Sequence, residues 1–188
     1  MIGNMATLEN VIKFGLPAIS IVIFIIATWR YITRHKKGAP KIERFFSNLV
    51  FLMVLALTLN ATIKTIGQYY VWAGGDRLSQ TFLSAGLNPE SPSIYNKISI
   101  LQGERGYFIF YSLTRFWLNV VASCAFAFLF GAFLKVLKRK RESFFDTGEI
   151  KLGILAALIV GWPNFVIFMP LIFASVIIIS AIRSIIMK

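Results

Sequence analysis

Residues 45–63 read FFSNLVFLMVLALTLNATI, and no Asp, Glu, Lys or Arg interrupts them. An uncharged apolar run of about 18 or more residues is long enough to cross the hydrocarbon core of a bilayer as a helix. Residues 14–29, 116–134 and 152–182 are likewise apolar and free of charge. The runs are continuous rather than alternating, which disfavours a β-barrel and leaves helices to satisfy the backbone inside lipid. The 188-residue chain is 57% hydrophobic and only 15% charged, too little polar surface for a water-soluble domain. The fold expected is an all-α membrane protein, a bundle of four transmembrane helices spanning about residues 12–31, 45–70, 107–135 and 150–182. One domain covers the whole chain.

The net charge is +12, and its placement sets the orientation. Arg30, Arg34, Lys36, Lys37, Lys41 and Arg44 surround the first gap, and Lys135, Lys138, Arg139, Lys140, Arg141 and Lys151 the third. These two groups hold more than half of the 20 Lys and Arg. Cytoplasmic loops collect basic residues. Loops 32–44 and 136–149 are therefore expected in the cytoplasm, with the N-terminus and loop 74–106 outside. The first twelve residues lack Lys and Arg, and no small-residue cleavage site follows, so the first span is expected to be retained.

The last apolar run is too long for one straight crossing, about 46 Å as a helix against a core of about 30 Å. Pro163 and Pro170 are its candidate hinges, since proline removes a backbone donor and kinks a helix. A single Pro-kinked helix is the expectation, and it leaves the C-terminus outside. A re-entrant hairpin is the alternative and returns it inside.

Punctuation fills in the rest. Residues 1–11 read as a polar tail, and Pro17 sits near the start of the first span, where proline is tolerated. Tyr69, Tyr70 and Trp72 form an interfacial aromatic belt before Gly74 and Gly75 end the second helix. Asp76 can cap a short helix carrying Leu78, Phe82 and Leu83. Ile94, Ile98 and Leu101 recur at helical spacing. Together these predict a short external helical cap. Asp146 followed by Glu149 is a capping-box pattern that starts the last helix near Thr147.

Little in the chain supports catalysis. His35 is the only histidine and Cys124 the only cysteine, so a His- or Cys-based metal site lacks partners. Glu9, Glu43, Asp76, Glu90, Glu104, Glu142, Asp146 and Glu149 all lie in tails, loops or segment ends. No carboxylate sits in the core of a span, which argues against a carboxylate proton relay. No cofactor, metal or catalytic set is expected.

Two cations enter the apolar regions. Lys64 has Asn60 and Gln68 at four residues before and after, and Arg115 has Asn119 and Ser123 at four and eight residues after. Each set falls on one helical face. These are the candidate residues for an anion or lipid phosphate, or for a pore lining. Snorkelling cations and interhelical amides are the structural alternative. Thr58, Thr62 and Thr65 form a further polar strip, read as helix packing.

Arg34, Lys36, Lys37, Lys41 and Arg44, with Lys138, Arg139, Lys140 and Arg141, are the candidate contacts to anionic cytoplasmic lipids or to an acidic cytoplasmic protein. Nucleic acid is disfavoured, because stacking aromatics and a recognisable binding fold are missing. The function expected is a non-enzymatic integral membrane subunit of a bacterial inner membrane. It self-assembles into a homo-oligomer and anchors or signals to a cytoplasmic partner through its basic loops, as a scaffold or sensor. The alternatives are an anion-favouring oligomeric channel and an immunity protein against a pore-forming toxin.

Overall fold

The computed structural model describes residues 2–33, 39–87, 98–140, 147–172 and 174. Among them the structure is helical, and no strand occurs. Helix α1 spans Ile2–Ile32, α2 Ala39–Ala73, α3 Arg77–Ser84, α4 Ser99–Gln102 and α5 Gly106–Ser112. A π-helical turn at Leu113–Trp117 leads into α6, Leu118–Lys140, and α7 follows at Thr147–Val160. Residues 165–172 form an eighth helix, α8.

Among the described residues three helical stretches are long and apolar enough to cross a membrane: Phe14–Ile32, Glu43–Ala73 and Gly106–Arg139. This is the hallmark of an integral membrane protein. Large apolar side chains remain exposed along them, Phe51 at 70% and Leu129 at 65%. Scattered single exposures are ordinary on a soluble protein, but this density fits a lipid solvent. The first three expected spans thus have helices of sufficient length.

Other boundaries move. Residues 1–11 were expected as a tail, yet α1 is helical from Ile2 and carries Pro17 inside it. The fourth expected span, 150–182, is not one kinked helix in the described residues. Helix α7 stops at Val160, and a turn through Gly161, Trp162, Pro163 and Asn164 separates it from α8. Gly161 has φ +64°, the left-handed region that favours glycine and commonly ends a helix. The Trp162–Pro163 peptide bond is cis. Pro170 lies within α8 and does not interrupt it.

By packing, the chain divides into two compact units, Met1–Val22 with Val54–Val121, and Ile23–Met53 with Ala122–Lys188. In the first unit, Trp72 is the centre of a ring cluster. Its indole lies 5.1 Å from Tyr111, 5.5 Å from Phe108, 6.1 Å from Tyr107 and 6.2 Å from Phe82. Phe82 and Tyr107 stack at 5.3 Å. These are the offset and edge geometries that aromatic quadrupoles prefer.

Asp76 accepts from the backbone N–H of Ser79 at 3.0 Å and from its hydroxyl at 2.7 Å, capping α3. These two bonds hold the Asp76 carboxyl below its usual range. Backbone bonds from Leu87 to Leu101 and from Tyr107 to Ala85 tie the loops around α4 and α5. Gly106 allows this approach, because a Cβ there would meet the Leu101 backbone. The expected helix face of Ile94, Ile98 and Leu101 is shorter in the structure. Ile98 precedes α4, Leu101 is buried within it, and Ile94 lies outside the described residues.

In the second unit, Phe46, Met53, Leu155 and Leu158 are the largest fully buried side chains. Helices α6 and α7 approach closely at two glycines. A Cβ on Gly131 would come within 2.5 Å of Ile154 Cδ1, and one on Gly153 within 2.8 Å of Leu134 Cδ1. Close backbone approach at small residues is how helices associate in lipid, where burial of apolar surface offers little drive.

Candidate functional site

The basic residues flank helix ends, and the structure shows how those ends in the second unit are joined. Helix α7 begins at Thr147, and its first two turns reach three other helices. Lys138 Nζ of α6 donates to the Thr147 hydroxyl at 2.9 Å. The Tyr31 hydroxyl of α1 donates to Glu149 Oε1 at 3.0 Å. Lys151 Nζ pairs with Glu43 Oε1 of α2 at 3.1 Å. The Arg30 guanidinium lies over the Phe45 ring, 5.7 Å from its centroid, a weak cation–π contact between α1 and α2.

Two consequences follow for charge. Glu43 and Glu149 are both committed to partners within the fold. Arg44, Lys135 and Arg139 stay exposed. The ensemble therefore presents a surplus of positive charge on helix ends that are linked to one another. The Glu43–Lys151 pair is itself weak. Its side chains are 45% and 27% exposed, and such pairs contribute about 0–1 kcal/mol.

Of the predicted basic contacts, Arg44, Lys138 and Arg139 belong to this end. Lys138 is engaged by Thr147, while Arg44 and Arg139 face outward. Lys41 and Lys140 lie on helical backbone, and Arg34, Lys36, Lys37 and Arg141 lie outside the described residues. Asp146 also lies outside them, so the capping box is represented only by the helix start at Thr147.

The two polar stripes lie on α2 and on the π turn leading into α6. Asn60, Lys64 and Gln68 are half-buried on α2. Arg115 and Asn119 are exposed, whereas Ser123 is 3% exposed. The π turn explains part of this. The Leu118 N–H bonds to the Leu113 carbonyl, five residues back, so the four-residue spacing from Arg115 is not regular α-helix. Ser123 has a different role, accepting the Trp162 backbone N–H at 2.9 Å.

The threonine strip turns inward on its own helix. Thr58, Thr62 and Thr65 donate to the carbonyls of Leu55, Thr58 and Ala61 at 2.9 Å. Thr65 also accepts Trp117 Nε1 at 3.3 Å, which joins α2 to the π turn. Sequence reasoning missed this link, as it missed Tyr31–Glu149 and Ser123–Trp162. Only Glu149 carried a signal, its place in the first turn of a helix. Cys124 is half-buried and unbridged. Compared with protein-family models, characterised protein sequences and solved structures, the chain matches none.

Proposed function

We propose that this chain is a non-enzymatic membrane subunit of a bacterial inner membrane that self-assembles and holds an acidic cytoplasmic protein against its basic face. The supporting observation is the set of links Lys138–Thr147, Tyr31–Glu149 and Lys151–Glu43. They occupy Glu43 and Glu149 and hold the helix ends together beneath exposed Arg44, Lys135 and Arg139. A preorganised cationic face loses little entropy on binding and steers an acidic partner by charge. We infer the orientation from charge alone, with the basic loops in the cytoplasm and loop 74–106 outside. There α3 and α4 act as a cover.

The test is gentle extraction of the full chain with its complex, followed by mass measurement. Arg44→Glu with Arg139→Glu should release a stoichiometric soluble partner while leaving the homo-oligomer and its thermal stability unchanged. A partner retained at full occupancy by the doubly reversed protein would overturn the reading.

A further inference from the structure

The turn between α7 and α8 belongs to the second unit, and the contacts around it give the chain a direction. Helix α7 runs along α6 from Lys138 and Thr147, past Leu134 and Gly153, to Ser123 and Trp162. At its end Trp162 stacks on Phe126, with centroids 4.7 Å apart and planes 4° from parallel. If the helix continued, the next turn would carry Phe165 further from Lys138. Instead Phe165 lies 6.0 Å from Phe126 and 5.7 Å from Phe130, one turn back toward the basic end. Phe165 is also buried, at 7% exposure. The turn thus brings the Phe165 ring back alongside α6.

The depth of that turn is short of a crossing. Helix α7 has 14 residues, about 21 Å of rise, against a hydrocarbon core of about 30 Å. Charge agrees independently. Arg183 and Lys188 follow the last apolar run. A crossing segment would carry both to the side away from the other basic clusters, and a returning one keeps them together.

The turn also leaves acceptors without donors. The Trp162 N–H is given to Ser123, Pro163 has no N–H, and the Phe165 N–H goes to Gly161. Among the described residues no hydrogen bond reaches the carbonyl oxygens of Leu158, Ile159 or Val160. Trp162, Pro163 and Asn164 are exposed at the tip. Irregular backbone at membrane depth occurs where it is buried in protein or lines a water-filled cavity.

We propose that residues 147–172 form a re-entrant hairpin that enters and leaves the membrane on the basic side, and that water bonds its tip in a hydrated pocket. The described residues then cross the membrane three times, and α8 heads back toward the basic side. The tip offers the last carbonyls of α7 and the exposed Asn164 amide, groups that water can bond.

The experiment uses full-length protein in its native membrane with Cys124→Ala as background. Single cysteines replace Asn164, Lys188, Arg139 and Arg77, the last two marking the basic and opposite sides. A membrane-impermeant thiol reagent is applied to sealed vesicles of each orientation. Lys188→Cys should react only from the side on which Arg139→Cys reacts. Asn164→Cys should react without denaturant. Reaction of Lys188→Cys from the Arg77→Cys side would overturn the hairpin, whatever the tip does. An Asn164→Cys that reacts only after denaturation would overturn the hydrated pocket.

Discussion

The backbone N–H of Trp162 donates to the hydroxyl of Ser123 at 2.9 Å, and this bond fixes the end of α7 against the middle of α6. The hydroxyl replaces the helical acceptor that Trp162 would otherwise use, so the turn is stabilised by a residue far away in sequence. Ser123→Ala removes this part-buried bond, which costs about 0.5–1.5 kcal/mol. Thermal unfolding in detergent micelles should show a matching drop, larger than that of Thr58→Ala, whose hydroxyl bonds only its own helix.

Gly131 and Ile154 should behave as a coupled pair. A Cβ on Gly131 would come within 2.5 Å of Ile154 Cδ1 and 2.6 Å of its Cγ1, so Gly131→Ala forces the isoleucine aside. Overpacking of this kind costs about 1–3 kcal/mol. Ile154→Ala removes both clashing atoms, so the double variant should lose less than the two single losses added. The unfolding midpoints of the four proteins measure it, and additivity would show that the helices part instead.

The ties at the basic end should differ in strength. Tyr31→Phe removes a half-buried charge-assisted bond to Glu149, and about 1.5–3 kcal/mol should be lost. Glu43→Gln weakens an exposed pair and should cost under about 1 kcal/mol. Raising ionic strength should narrow the Glu43→Gln difference and leave most of the Tyr31→Phe difference in place.

Helix α3 should respond to acid through Asp76. Its carboxyl is held below the usual range, first by the Ser79 hydroxyl and then by the Ser79 N–H. A carboxylate favoured in the folded form adds stability above its unfolded pKa, and that stability fades as pH falls through the lower folded value. Amide exchange at Ser79 and Gln80 should accelerate over that acidic window. Asp76→Asn keeps an N-cap acceptor and should remove the pH dependence while keeping protection.

Much of this protein is legible along the chain. The span at Glu43–Ala73 is visible in the uncharged run 45–63, because a lipid solvent tolerates few charges and composition alone reports that. Asp76 before Arg77 likewise marks the start of α3 through local capping chemistry. These are one-dimensional signals, each carried by neighbours in sequence. What the sequence could not decide rests on pairs distant along the chain. Ser123 read as part of a polar stripe until Trp162 claimed it, and the π turn at Leu113–Trp117 shifted the spacing on which that stripe depended. Prolines in the last segment indicated a break but not its angle. Phe165 against Phe130 gives the direction, since the path of a chain after a turn is set by what its side chains pack on.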